Sequence, residues 1–183
     1  MYIFPIIIVL LIIWFIAAYN GLIRLATQTD EAWADIDVQL KRRYDLIPNL
    51  VETVKGYAAH EQGTLQKVID ARSKAMGAQS IEDRASAENM VSSALKSVFA
   101  LAEAYPQLRA VEGFTKLQDE LTDTEDKIQA ARRFYNGNVR DLNTRILSFP
   151  NNMVASMFHF VKREFFELGA SESAAKDPVK VSF

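Results

Sequence analysis

The sequence predicts an all-α protein in which an N-terminal transmembrane helix continues into an antiparallel four-helix bundle. Three observations support this fold class. Residues 1–19 carry no charge. Beyond them, apolar residues recur every three or four positions, which is the period of an amphipathic helix. No segment of the remaining chain alternates apolar and polar residues over the length of a strand.

Residues 2–19 form an apolar run that is just long enough to cross a membrane, since a bilayer core of ~30 Å needs about 20 helical residues. Pro5 falls in the first turn, where a missing N–H is tolerated. The alternative is a cleaved signal peptide, but the run lacks a charged n-region and its apolar core is too long. Because the sequence contains no cysteine, a lipoprotein anchor is excluded. We expect an uncleaved anchor that contacts the lipid bilayer through residues 2–19.

The basic residues that follow the anchor bear on its orientation. Arg24 is close to it, and Lys41–Arg43 comes about 22 residues later, ~35 Å away on a straight helix. The positive-inside tendency favours a single-pass inner-membrane protein with a cytoplasmic soluble domain; an extracytoplasmic domain stays an alternative. Lys41–Arg43 is too far from the lipid head groups to bind them, so we expect it on a solvated face or in an intersubunit salt bridge.

The rest of the chain has the composition of one water-soluble domain followed by a tail. All 21 basic and 23 acidic residues fall in it, and the net charge of −2 makes nucleic acid an unexpected partner. The lack of cysteine excludes a disulfide scaffold, a cysteine zinc site and a thiol nucleophile. We place the anchor at 1–19, the helical bundle at 20–168 and a polar tail at 169–183.

The apolar stripe of the first long helix runs from Leu22 to Met76 without a linker, so anchor and bundle are expected to share a helix. Pro48 should kink it, because proline removes a backbone donor and crowds the preceding turn. Gly77 suits a left-handed helix end. The tetrapeptide Ser80–Asp83 resembles a capping box that begins the next helix.

Two further stripes complete the predicted bundle. The second helix should end near Tyr105 and Pro106, because proline disfavours helical angles in its predecessor. The third stripe runs from Val111 to Phe149. A short amphipathic helix should close the domain, with these residues on its apolar face: Met153, Met157, Phe160, Val161 and Phe165.

Few residues suggest catalysis or metal binding. His60-Glu61-Gln-Gly-Thr64 begins like a zincin motif, but threonine stands where the second histidine is required, and a catalytic zinc needs three protein ligands. His159, between two phenylalanines, is read as a packing residue. We therefore expect no enzyme activity and no catalytic, cofactor-binding or metal-binding residue.

Polar residues on the buried stripes are the candidate structural sites. Glu125 and Arg132 are in phase with the third stripe and Arg72 with the first, so interhelical ion pairs are expected. The alternative, a di-iron carboxylate cluster, needs a Glu-x-x-His motif that the chain lacks. Asn136 and Asn143 lie two turns apart; they either fix helix register through hydrogen bonds or mark a contact surface.

Several stretches match one protein family over nearly the whole chain. They are Tyr19–Leu22, Asp30–Gln39, Leu40–Val51, Tyr105–Leu108, Glu125–Asp126, Arg132–Asn136, Phe149–Asn152 and Pro178–Phe183. On these residues the sequence resembles the LemA family. The resemblance implies an N-terminal anchor followed by a bundle of four main helices, with no established catalytic residue.

The sequence departs from the family pattern at two places. Leu142-Asn143 stands where the family has Tyr-Asn, and Phe158-His159-Phe160 where it has Phe-Gly-Phe. A side chain in place of that glycine argues against a close helix approach there. Some relatives resemble lipoproteins, which places their domains outside the cytoplasm and opposes the charge-based orientation.

Two functional hypotheses follow. The first is a non-enzymatic, membrane-anchored scaffold that self-associates into a homo-oligomer. Its contact surface would include aromatic residues that one helix face cannot bury; they are Phe158, Phe160, Phe165 and Phe166. The second is an adaptor or regulator of a membrane enzyme such as a protease, acting through the bundle surface or the tail. Val181 and Phe183 give the tail an end that a PDZ groove could capture, although the favoured interpretation is an incidental tail or one that docks on its own assembly.

Overall fold

The computed structural model describes residues 3–58 and 60–167, and this part of the chain contains helices and no strand. The helices are α1 Ile3–Lys55, α2 Gln62–Gly77, α3 Ile81–Ala104, α4 Pro106–Arg109, α5 Glu112–Leu147 and α6 Asn151–Met157. The prediction of an all-α protein is confirmed.

Helix α1 is continuous through the apolar N-terminal run and beyond it. It is the one helix of the described residues that is long and apolar enough to cross a membrane. Pro48 lies inside α1 and does not end it. Because proline lacks an N–H, the carbonyl of Tyr44, four residues earlier, loses its intrahelical donor. Arg72 of α2 replaces that donor: its Nε donates to the Tyr44 carbonyl oxygen over 2.8 Å.

The expectation of an apolar stripe without a linker up to Met76 was wrong. Helix α1 ends at Lys55, and a turn at Gly56 and Tyr57 precedes α2. Ala58 is buried beyond this turn, and its N–H donates to the Val54 carbonyl at 2.8 Å. Because buried residues continue in phase on both sides, the periodicity did not reveal the break.

The start of α3 follows the predicted capping pattern. The Ser80 hydroxyl oxygen accepts from the Asp83 backbone N–H at 3.0 Å, and the hydroxyl donates to the Asp83 carboxylate at 2.7 Å. The preceding helix end differs from expectation, because none of the described glycines has a positive φ. Helix α2 ends instead with Ala78 in an extended conformation.

The chain forms two compact units. The first comprises the described residues of Met1–Ile36 and Ala130–Phe165, and the second those of Asp37–Gln129 and Phe166–Phe183. The domain bounds expected from sequence, 1–19, 20–168 and 169–183, stay a prediction. The expected tail lies outside the described residues.

In the first unit, α1 and α5 run antiparallel. Trp33 packs on Tyr135 with ring centroids 5.2 Å apart. Nearer the N-terminus of α1, the Gln28 carbonyl accepts from the Asn138 amide at 3.4 Å. Residue numbers therefore fall along α5 as they rise along α1. Helix α6 packs against the middle of this α1 segment, where Val154 is buried with Ala18 and Leu22.

The last helix is shorter than expected. It ends at Met157, and residues 160–167 are not helical, so the predicted placement of Phe160, Val161 and Phe165 on its face was wrong. His159 has a φ of 56°. A residue in this left-handed region cannot continue an α-helix, which explains the stop.

The second unit contains the whole of α2, α3 and α4, together with the C-terminal part of α1 and the N-terminal part of α5. Asp37 pairs with Arg84 at 2.7 Å, and Arg43 with Glu88 further along both helices, so α1 and α3 run parallel. All four long helices contribute buried apolar residues: Leu40, Ile47, Leu50 and Val54 of α1, Leu65 and Val68 of α2, Val91, Leu95 and Val98 of α3, and Phe114 and Leu121 of α5.

The bond between Arg72 and the Tyr44 carbonyl can be tested by a double-mutant cycle with Pro48. Arg72→Met should lower the free energy of unfolding by about 1–3 kcal/mol, because a partly buried carbonyl loses its donor. In a Pro48→Ala background the alanine N–H can satisfy that carbonyl, so the same substitution should cost less. Thermal midpoints of the four proteins in detergent measure the coupling. Lys67→Met, at an exposed position of α2, is the control, and strictly additive effects would contradict the assignment.

Candidate functional site: a buried charge network and an apolar anchor

Arg43 is fully buried, which contradicts the expectation of a solvated face or an intersubunit salt bridge for Lys41–Arg43. Of these three basic residues, Lys41 and Arg42 are exposed. A signal for this existed in the sequence, since Arg43 follows Ile36 by seven residues and precedes Ile47 by four, and so shares their stripe. The run of three basic residues concealed that phase.

The Arg43 guanidinium forms ion pairs with two carboxylates from different helices. Its Nη2 contacts Glu88 of α3, which is itself fully buried, and its Nη1 contacts Glu125 of α5. Nη1 also donates to the Ser92 hydroxyl at 3.0 Å, and that hydroxyl donates to Glu125 at 2.9 Å. One residue of α1 thus connects α3 and α5 through charged hydrogen bonds, the strong kind in proteins.

Tyr44 extends this network. Its hydroxyl donates to the second carboxylate oxygen of Glu88. Burial, followed by the hydrogen bond to Glu88 and the charge of that residue, raises the pKa of Tyr44 above its usual range. The phenol therefore keeps its proton and remains a donor at physiological pH. We call Arg43, Tyr44, Glu88, Ser92 and Glu125 the Arg43 network.

Of the polar residues expected to pair, Glu125 belongs to the Arg43 network, with Arg43 as its ion-pair partner. Arg72 donates a hydrogen bond to the Tyr44 carbonyl, which Pro48 leaves without an intrahelical donor. Arg132 lies in the first unit and is partly exposed, as is Asn136. Glu125 and Arg72 therefore act on partners that the sequence analysis did not identify.

Asn143 holds the chain segment that follows α6. Its amide donates to the Arg163 carbonyl and its side-chain oxygen accepts from the Arg163 N–H, both at 2.9 Å. The Tyr135 hydroxyl donates to the Glu164 carbonyl at 2.9 Å, and the Arg163 guanidinium pairs with Asp30 at 3.1 Å. Asn143 thus fixes a non-helical segment against α5, whereas the sequence analysis considered a helix partner or a contact surface.

The four aromatic residues of the expected contact surface have different positions. Phe158 packs on Tyr19 with centroids 4.6 Å apart, and Phe160 packs on the same ring at 6.1 Å. Phe165 is exposed, whereas Phe166 is fully buried, which removes Phe166 from that surface. Val181 and Phe183 lie outside the described residues.

His159 occupies the family's glycine position in the left-handed conformation that glycine favours. Its side chain is exposed, and it borders a cavity of about 320 Å³ in the first unit. The cavity is lined by Tyr19, Ile23, Ala26, Leu142, Phe158, His159, Phe160, Val161 and Arg163. The exposure of its side chain contradicts the expectation that His159 is a packing residue.

In the part of the chain that the structure describes, no group of three or more His, Asp or Glu side chains could hold a metal ion. His60 is exposed in the turn before α2. Arg43, Tyr44 and Glu88 are buried, Glu125 is partly exposed, and these ionisable groups are bonded to one another. This arrangement links α1 with α3 and α5.

The exposed apolar run of α1, together with a helical fold organised by internal ion pairs, defines a membrane-associated all-α protein. The chain belongs to the LemA family, whose sequence profile matches residues 32–183. The family resemblance predicted from the sequence is confirmed.

Relatives of known name share most of the chain. It is 24% identical over 189 residues to magnetosome protein MamQ 2 of Paramagnetospirillum magneticum, which covers 87% of this chain and 70% of that protein. It is 27% identical over 167 residues to protein LemA of Metamycoplasma hominis, which covers 89% and 75% respectively.

The importance of the Arg43 network can be tested with neighbouring arginines. Arg43→Met leaves Glu88 buried without its cation and should cost about 3–5 kcal/mol. Arg42→Met removes an arginine whose side chain is 45% exposed and should cost at most about 1 kcal/mol. Thermal midpoints in detergent compare the two variants.

A second substitution separates charge burial from a general loss of packing. Glu88→Met added to Arg43→Met should recover part of the lost stability, because the fully buried carboxylate that lost its cation is then removed as well. Equal effects of Arg42→Met and Arg43→Met, or a further loss in the double variant, would contradict this account.

Proposed function

We propose that the protein is a membrane-anchored, non-enzymatic scaffold whose copies associate side by side at the membrane. The observation that carries the proposal is the continuity of α1, an unbroken helix from Ile3 to Lys55. Its first part exposes apolar side chains that water does not tolerate in such number. The same helix then supplies Arg43 to the buried network. An anchor that is part of the helical fold holds that fold more firmly than a flexible tether would.

The chemistry of the buried polar groups supports a structural role. Each ionised member of the Arg43 network contacts an opposite charge on another helix. Catalytic groups need access to a reacting molecule, and the fully buried Arg43 and Glu88 have none. Relatives named protein LemA and magnetosome protein MamQ 2 match most of this chain. A helical region shared by proteins with such different names fits a structural role better than one specific reaction.

Self-association is favoured by the anchor itself. Helices inserted in one bilayer share its plane, which raises the effective concentration of each copy for lateral contacts. Phe134 is a large aromatic residue of α5, outside the apolar N-terminal run, and it is 60% exposed. Aromatic residues, phenylalanine among them, are enriched at protein interfaces. We therefore place Phe134 in the lateral contact.

We place the soluble part on the cytoplasmic side of the inner membrane. Arg24, the first charged residue after the apolar run, is exposed on α1. The positive-inside tendency holds such residues in the cytoplasm.

Oligomeric state tests the scaffold proposal. The full chain in lipid nanodiscs or mild detergent should form species larger than a monomer in mass photometry. Phe134→Glu should shift the distribution towards monomer, because a buried carboxylate opposes association. Thr144→Glu adds the same charge at an exposed position of α5 and should leave the distribution unchanged. A monomer at every concentration would refute self-association, and equal effects of both variants would remove Phe134 from the contact.

A further inference from the structure

The end of α5 and the whole of α6 lie beside the part of α1 where the apolar run ends. Val154 of α6 is buried with Ala18 and Leu22 of α1. Phe158, which follows α6, has its ring 5.9 Å from that of Phe15. These contacts belong to one compact unit. Helix α6 is therefore level with the last turn of the apolar segment, where a membrane-spanning α1 leaves the hydrocarbon.

The outer side of this corner is apolar and exposed. Phe149 is 80%, Met153 63% and Met157 65% exposed. Residues 146–161 contain no Asp, Glu, Lys or Arg. An uncharged stretch with several large exposed apolar side chains exceeds the scattered exposure that is normal on a soluble surface. Asn151, Asn152 and the serines of this stretch suit the polar boundary of a bilayer.

Basic residues lie at both ends of the uncharged stretch. Arg145 precedes it and Lys162 follows it, both exposed. The Arg145 guanidinium lies beside Gly21 of α1, with Nη2 3.5 Å from the position that a Cβ would occupy. It is thus just past the apolar run, at the level expected for lipid phosphates. Lysine and arginine at this depth are attracted to anionic head groups.

We propose that the α5–α6 corner, residues 147–158, is a second membrane contact. It rests in the head-group region of the bilayer that α1 crosses, with Phe149, Met153 and Met157 towards the acyl chains and Arg145 and Lys162 at anionic phosphates. The proposal builds on the membrane anchoring of the proposed function and not on self-association. The lipid surface is the occupant because the corner is continuous with the apolar face of α1 and has basic residues on both flanks.

A second contact changes what the anchor can do. A single helix leaves the attached protein free to tilt relative to the membrane. Because α6 contacts the bilayer at a distance from the α1 axis, it fixes one side of the first unit against the membrane. Copies held at one tilt present their lateral surfaces at the same height above the membrane.

Fluorescent labelling at single cysteines tests the contact directly, since the natural chain contains no cysteine. An environment-sensitive dye is attached to Met153→Cys or Met157→Cys of the full chain, reconstituted in vesicles of phosphatidylcholine and phosphatidylglycerol. The emission should shift to the blue, and lipids with a nitroxide near the head group should quench it. Ala130→Cys, at an exposed position of α5, is the water-exposed control. Ile12→Cys reports on the insertion of α1.

The outcomes separate this proposal from the anchoring on which it rests. A quenched dye at residue 12 together with water-like emission at residues 153 and 157 would overturn the second contact and leave the anchor intact. Water-like emission at all these positions would refute both. A blue shift at residue 153 without quenching by nitroxide lipid would assign the corner to a protein interface instead. Arg145→Gln with Lys162→Gln should reduce quenching at residue 153 in anionic vesicles, and no change would remove the head-group contact.

Discussion

The buried guanidinium of Arg43 is the constraint on which the packing of the second unit depends. A charge inside a protein is tolerated only where opposite charges and hydrogen bonds replace water. Here the replacements come from Glu88 of α3 and Glu125 of α5. If either helix shifted by one residue in register, its carboxylate would turn by about 100° away from Arg43. Apolar residues tolerate such slips far better, so we infer that the network specifies helix register more than it adds stability.

Helix α1 has to satisfy two environments with one continuous backbone. Residues 3–14 expose apolar side chains, whereas the later part of the helix buries one stripe and exposes charges. Pro48 lies in that later part, where it would leave the Tyr44 carbonyl without a donor. Arg72 supplies the donor from α2. A position that should break the helix thus becomes a link between two helices, and α1 continues to Lys55.

Much of the fold could be predicted because it depends on periodicity and local chemistry. The apolar N-terminal helix, the helical class and the serine cap of α3 follow from residue patterns within a few turns. The turn between α1 and α2 could not be predicted, because Ala58 and Leu65 continue the buried phase across it. The partners of Arg43 and Arg72 could not be predicted either. Each depends on which side chain of a distant helix reaches the same point, and for Arg72 the partner is a backbone carbonyl that sequence patterns do not show.

The central claim is that α1 passes from the bilayer into the helical fold. Labelling of single cysteines along α1 with a water-soluble maleimide, on the full chain in lipid nanodiscs, measures this most directly. Cysteines at Ile8 and Val9 should be protected, and cysteines at Gln28 and Asp35, which are exposed beyond the apolar run, should react rapidly. Nanodiscs leave both membrane faces open, so the result does not depend on orientation. Equally rapid labelling at all four positions would contradict the account.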